Sequence, residues 1–168
     1  MKLIKAKFHI VAILKTVVYK LLFGKRIYIG KKTTFRKNFR VCLDADGKID
    51  IGDNCFFNNG CSINALGRVF IGSGSIFGED IKIYDHNHRF NKAGIPLKEQ
   101  GFSVGEVYIG PDCWIGSNVV ILKGAKIGNN CVIGAGCVID CEIPPYSIVT
   151  ATRELKITEI QFKANDKI

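Results

Sequence analysis

Of the three histidines in this 168-residue chain, two stand in the stretch IYDHNHRF, as His86 and His88. Histidine ionises near neutrality, so its neutral ring can take a proton from a weakly acidic group at a working pH near 7. A lone surface histidine usually carries no chemistry, but this pair borders the longest break in the chain's pattern, which favours a functional role. Residues i and i+2 of a strand share a face, so spacing alone does not separate the two. Asp85 and Glu79 are the carboxylates available to orient an imidazole, and the sequence does not choose between them. Metal chemistry is disfavoured, because the third histidine, His9, is remote and zinc wants three or four clustered ligands. The cysteines, seven in number and without a CxxC pair, read poorly as a disulfide framework or a zinc ribbon.

The elements that must hold these residues are visible as a six-residue register. Stepping by six from Ile109 gives Ile115, Ile121, Ile127, Ile133 and Ile139. With apolar branched or aromatic residues at about a third of positions, six successive matches arise by chance roughly once in seven hundred. Glycine follows the leading residue at Gly110, Gly116, Gly128 and Gly134, and the fifth position reads Cys113, Val119, Ala125, Cys131, Cys137 and Ile143. The same pattern runs earlier through Ile51, Phe57 and Ile63, then after a two-residue slip through Ile71, Phe77 and Ile83. Cys55 and Cys61 fill the fifth position there, so five cysteines share one slot, and core filling in a reduced compartment is the reading preferred for them.

A period of six fits neither an α-helix nor a heptad coil. It fits short strands turning at fixed corners, with Gly or Asn in the turns, as at Asn54, Asn118, Asn129 and Asn130. Three hexads close one triangular coil, and stacked coils pair through parallel ladders about 4.7–4.9 Å apart. About five coils are expected, with Ile29, Thr33, Phe35, Phe39 and Val41 forming an irregular first one. The leading residues then jump from Ile83 to Ile109, and so long an excursion from a regular solenoid is uncommon unless functional. Gly94, Pro96, Gly101 and Gly105 mark it as an extruded loop, residues 89–106. Pro144 and Pro145 are expected to end the register at residue 145, leaving residues 146–168 as a C-terminal cap.

These residues, and above all IGPDCWIGSNVVILKGAKIGNNCVIGAGCVI followed by IPPYSIV, resemble the hexapeptide-repeat acyltransferases over residues 27–150. The likeness is strongest to the galactoside, maltose and surface-polysaccharide O-acetyltransferases. The resemblance implies an all-β fold, a left-handed parallel β-helix, assembled as a homotrimer, with acetyl-coenzyme A as co-substrate in the groove between neighbouring helices. It implies acetyl transfer to a sugar hydroxyl, in surface polysaccharide synthesis in the cytoplasm, without a metal; the basic apolar N-terminal arm adds the expectation of a place at the inner face of the membrane. N-acetylation of an amino sugar, or acetylation of serine or an antibiotic, is the alternative on the same scaffold. Aligned on Tyr84, His88 falls where the family keeps its general base, which prefers it over His86. Asn58, in FFNNG, matches the family's active-site asparagine, although a turn asparagine reads the same way. Ser117 and Ala135 match donor-binding positions, and Trp114 matches an aromatic near the acceptor pocket. Lys123, Lys126, Arg153 and Lys156 are available for the coenzyme's phosphates. The chain departs from the family where residues 150–155 read TATREL instead of a Gly-x-Pro-Ala-Lys/Arg turn.

The net charge of +9 is unevenly spread: residues 1–40 hold twelve Lys and Arg and no acid, which leaves the remainder slightly acidic. An acidic body, with no aromatics interleaved among the arm's lysines, argues against nucleic acid as a partner. Residues 1–26 read as a basic, apolar helical arm whose longest apolar run, Ile10 to Leu14, is far short of the roughly 20 residues of a spanning helix. Its wide apolar arc must be covered, by a protein partner such as a second subunit or by a membrane surface with lysines toward anionic headgroups.

Overall fold

The computed structural model describes residues 2–44 and 46–152, with side chains from residue 8 onward. Helix α1 (Lys2–Phe23) and a 3-10 turn (Gly24–Arg26) lead into a stack of triangular coils. Three parallel sheets form the faces, and the columns of leading residues run straight through them. Ile29, Ile51, Ile71, Ile109, Ile127 and Ile143 align in the first sheet. Phe35, Phe57, Phe77, Ile115, Ile133 and Val149 align in the second. Val41, Ile63, Ile83, Ile121 and Ile139 align in the third. Among the described residues the result is five complete coils and a sixth of two strands. Nearly every leading residue is buried because it points to the axis of the coil, and in the first sheet Ile27, Ile49, Val69 and Val107, two positions earlier, are buried beside it. Phe35, Phe39, Phe57 and Phe77 stack along the axis at centroid distances of 4.3, 5.0 and 4.4 Å between successive pairs.

Two corners are rigid and one is free. At the corner between the first and second sheets, Asn54, Asp112 and Asn130 take φ of 55°; between the second and third, Asn38, Asp80 and Asn118 take 56–58°. Asn and Asp tolerate this left-handed backbone better than other side-chain-bearing residues. The glycine after the leading residue serves close approach instead: a Cβ on Gly72 would lie 2.3 Å from the Pro111 nitrogen of the next coil. All length variation falls at the third corner. Val41 to Ile51 spans ten residues, Ile63 to Ile71 eight, Ile83 to Ile109 twenty-six and Ile139 to Ile143 four.

The fifth-position slot does more than fill the core. The Cys55, Cys61, Cys113 and Cys131 thiols each donate to a backbone carbonyl of the next coil at 3.1–3.2 Å. The Thr33 and Ser75 hydroxyls do the same at 2.8 and 3.0 Å. At the corner between the first and second sheets the slot thus always takes a small residue with a hydrogen to give, Thr33, Cys55, Ser75, Cys113 or Cys131, whereas elsewhere Phe39, Ile81, Val119 and Ala125 only fill it. Burial pushes the Cys61 thiol up to about 11, and those of Cys55 and Cys113 upward as well.

Three expectations need correction. The register does not end at residue 145: Ile148–Val149 still pairs with Val132–Ile133, and the prolines occupy a corner where no ladder N–H is needed. Ile143 is a leading residue paired with Ile127, not a fifth-position one. The excursion begins earlier than residue 89 and ends before 106, because His86–His88 and Phe102–Val104 are its antiparallel stem and Glu106 already pairs with Arg68.

Candidate active site

The excursion is a hairpin rather than an open loop. His86 faces Val104 and His88 faces Phe102 across its stem. Both histidines lie on one face, as alternation requires, and both rings contact Phe102, at centroid distances of 5.2 and 4.5 Å. The tip is pinned from inside by the buried Gln100, whose side chain donates to the Ile95 and Lys92 carbonyls and accepts from the Lys92 N–H, at 2.8, 3.2 and 3.0 Å. Beneath the stem, the Lys123 ammonium donates to the Ser103 hydroxyl, so this lysine is committed to the hairpin.

Asp85 is the anchor. Its carboxylate is fully buried and accepts from the Leu66 and Gly67 N–H groups at 2.9 and 2.8 Å. These donors stand at the third corner, between the strands ending at Ala65 and beginning at Arg68, and the carboxylate satisfies them from the next coil. Its Oδ1 also lies 2.9 Å from His86 Nδ1. An accepting Asp85 takes a hydrogen bond from the Nδ1 proton, so in the neutral ring Nε2 is the nitrogen that carries the lone pair. The His86 side chain is 18% exposed. His88 is exposed and makes no side-chain hydrogen bond among the described residues. Of the two candidate carboxylates, Asp85 holds His86 and Glu79 is engaged by the Asn59 amide, both at 2.9 Å, so neither is bonded to His88.

The other site candidates gather at a different corner. Asn58, Ser117 and Ala135 all belong to the corner between the second and third sheets, whereas the histidine hairpin leaves the third corner. Within one chain the structure joins Asn58 to Ser117 and Ala135 along one edge and places neither beside His88. The Asn58 side-chain oxygen accepts from the Asn59 N–H at 2.9 Å, as a turn asparagine does. Yet it stands where Gly78, Gly116 and Gly134 occupy the same corner in later coils, so a side chain here departs from the local rule. Ser117 is half-buried, with its hydroxyl accepting from the Glu79 N–H at 3.1 Å, and Ala135 is exposed on the following coil. In the fourth and fifth coils this edge therefore carries only small side chains at that position, where Lys37, Asn59 and Glu79 stand in the first three. Trp114 lies 54% exposed on the outer face of the second sheet, between Ile76 and Val132. Arg153 and Lys156 lie outside the described residues.

Sequence reasoning missed Phe102 and Gln100. Both lie in the irregular excursion, where no periodicity announces which residues turn inward. It also missed a polar cleft of about 410 Å³ on the outer face of the third sheet, lined by Tyr19, Arg40, Ser62, Asn64, Lys82 and Tyr84. Tyr84 carries this cleft to the hairpin, its ring meeting that of His86 edge-on at 6.4 Å.

Residues 106–141 match the family model described as bacterial transferase hexapeptide (six repeats). Over 82% of this chain and 56% of its own length, the galactoside O-acetyltransferase of Escherichia coli is 30% identical. A protein of Mycobacterium tuberculosis named as a probable acetyltransferase is 34% identical over 74% of this chain and 39% of its own length. The chain thus spans less than two thirds of the length of these relatives. Among solved structures, a hexapeptide-repeat-containing acetyltransferase of Vibrio cholerae superposes with a TM-score of 0.68 at 26% identity, covering 87% of this chain and 82% of that one. That protein has also been solved in complex with acetyl-coenzyme A. The unbroken six-residue columns, the parallel coil stack and a likeness that spans most of the chain lead to one conclusion: residues 106–141 carry the bacterial transferase hexapeptide repeat, and the chain as a whole is similar in fold to the hexapeptide-repeat acetyltransferases.

Proposed function

We propose that the protein is an acetyltransferase that moves an acetyl group from acetyl-coenzyme A to a hydroxyl of a saccharide. The observation that carries this reading is a pair of strand-borne histidines on a pinned hairpin, set on a hexapeptide solenoid whose neighbouring corner presents the small Ser117 and Ala135 in its fourth and fifth coils. A sugar hydroxyl is too weakly acidic to ionise near pH 7, so His88 takes its proton as the oxygen attacks the thioester carbonyl. The tetrahedral intermediate places negative charge on the former carbonyl oxygen, which the Asn58 amide is suited to receive. Collapse expels the coenzyme's thiolate, and the proton passes from the histidine to its sulfur. The polar cleft beside Tyr84 offers hydroxyl, amide and cationic partners of the kind a saccharide uses.

Separation of the two corners is the reason for reading the enzyme as a homotrimer. A donor lying along the edge of Ser117 and Ala135 meets a histidine only if another copy supplies the hairpin. The outer face of the second sheet, where Ile76, Trp114 and Ile148 are 44, 54 and 76% exposed, supports such packing. Surface polysaccharide as the acceptor and a cytoplasmic site of action complete the proposal; the seven free cysteines support the latter.

A specific observation favours a second reading in which His86 is the base: Asp85 presets its tautomer and orientation, and His88 has no such partner. The test is acetyl-coenzyme A consumption across a panel of sugars and nucleotide sugars with His88→Ala and His86→Ala. The base should lose at least about 100-fold in kcat. If neither variant slows release of the coenzyme's thiol on an accepted sugar, histidine base catalysis is wrong.

A further inference from the structure

Helix α1 is covered on one side only. Ala12 is buried, and Tyr19 and Phe23 pack on the end of the solenoid, with the Tyr19 hydroxyl and the Lys15 ammonium donating to the Phe39 carbonyl at 3.2 and 3.1 Å. The helix thus caps the first coil and shields its phenylalanine stack. On the opposite side, Ile10, Ile13, Leu14, Val17, Val18 and Leu21 recur at spacings of three and four and are 49–80% exposed. A surface helix normally shows water a polar face; a helix apolar on both sides is one that is covered on both. No helix of the described residues is long and apolar enough to cross a membrane.

The surroundings say what the cover is. Lys20 and Lys25 flank the stripe in sequence, and Lys31, Lys32, Lys37 and Arg40 are exposed on the coil that the helix caps. Residues 1–40 contain no acidic side chain to offset them. An isologous contact with a second copy would set this cationic end against itself. An anionic bilayer surface satisfies both features together: acyl chains receive the aliphatic stripe, and headgroups receive the surrounding lysines and arginine.

We infer that α1 lies in the plane of a membrane interface and docks the solenoid, end-on, to anionic phospholipid. The inference is independent of the proposed chemistry. Its test is flotation of the full chain with phosphatidylcholine vesicles that do or do not contain phosphatidylglycerol, at low and high salt. Wild type should float with the anionic vesicles alone and release in high salt. Leu14→Gln/Leu21→Gln, at positions already in solvent, should lower partitioning at least about tenfold, two side chains' apolar transfer being removed. Lys31→Glu and Lys37→Glu should each lower it by at least about fivefold, the usual worth of one cation at such a surface. Absence of flotation, equal flotation with pure phosphatidylcholine, or variants that float like wild type would each overturn it. So would a change in sedimentation mass in Leu14→Gln/Leu21→Gln without a change in flotation, since the stripe would then be a subunit contact. Acetyl transfer to a water-soluble sugar, measured on the same preparations, reports separately on the proposed chemistry.

Discussion

Replacing Asp85 with alanine tests the fold and the site together. The fully buried carboxylate accepts three hydrogen bonds, from the Leu66 and Gly67 N–H groups and from His86, all at 2.8–2.9 Å. A hydrogen bond to a charged group contributes about 1.5–3 kcal/mol. The three donors are only half-buried, so water entering the vacated space recovers part of that. The expected loss is about 3–5 kcal/mol, a large share of the roughly 5–15 kcal/mol that holds a domain folded. Asp85→Asn keeps one accepting oxygen and turns an NH₂ toward a donor, so it should lose less, about 1.5–3 kcal/mol. Urea unfolding followed by far-UV circular dichroism measures both, and the midpoint should fall with the slope unchanged. A loss below about 1 kcal/mol in Asp85→Ala would refute the reasoning, because the third corner would then satisfy its N–H groups without the carboxylate. Asp85→Asn also discriminates between the two bases. If His86 is the base, kcat should drop at least about tenfold with KM little changed, because the imidazole loses its orienting partner; if His88 is the base, kcat should stay close to wild type.

Thiol labelling with a disulfide reagent at pH 8 should count two of the seven cysteines in the native protein, the exposed Cys42 and Cys141, and all seven in denaturant. Because burial raises the Cys61 pKa to about 11, roughly one in a thousand of its thiols is ionised at that pH, and labelling should accelerate as the pH climbs toward that value. Gly72→Ala would place a methyl 2.3 Å from the Pro111 backbone nitrogen and should cost about 3 kcal/mol or more. Gly94→Ala, with φ of 74° but nothing within 4 Å, should cost only about 1–2 kcal/mol for left-handed backbone; equal midpoints in urea would contradict the close-approach argument. Phe57→Ala opens a cavity in the axial stack between Phe39 and Phe77 and should lower stability by about 3–5 kcal/mol in the same assay.

The coil core was readable because one geometric fact repeats. Every sixth side chain from Ile109 to Ile139 points to the axis, so the pattern can be counted from the residues alone. The corner asparagines and glycines were legible for the same reason, and the fifth-position cysteines were placed correctly although their hydrogen bonds were not foreseen. The chain's end was misjudged where a rule was applied locally: a proline pair stops a ladder only if its nitrogens are needed there, and at a corner they are not. The excursion was located but its interior was opaque, since a 3-10 turn, an antiparallel stem and a glutamine pin obey no common period.

Type and order of residues therefore determined the solenoid, its columns, the position of the histidines and the charge asymmetry of residues 1–40. These follow from local periodicity and composition, which the chain carries in one dimension. Tertiary structure decided the partners. Asp85 reaches two N–H groups eighteen and nineteen residues earlier because coil stacking sets them side by side. Asn58 and the histidine hairpin fall on different corners because the third corner absorbs every irregular length. Helix α1 keeps a bare aliphatic face because its other side is taken up in capping the first coil. None of these is a property of spacing alone: each depends on which residues the turning of the coil brings into register.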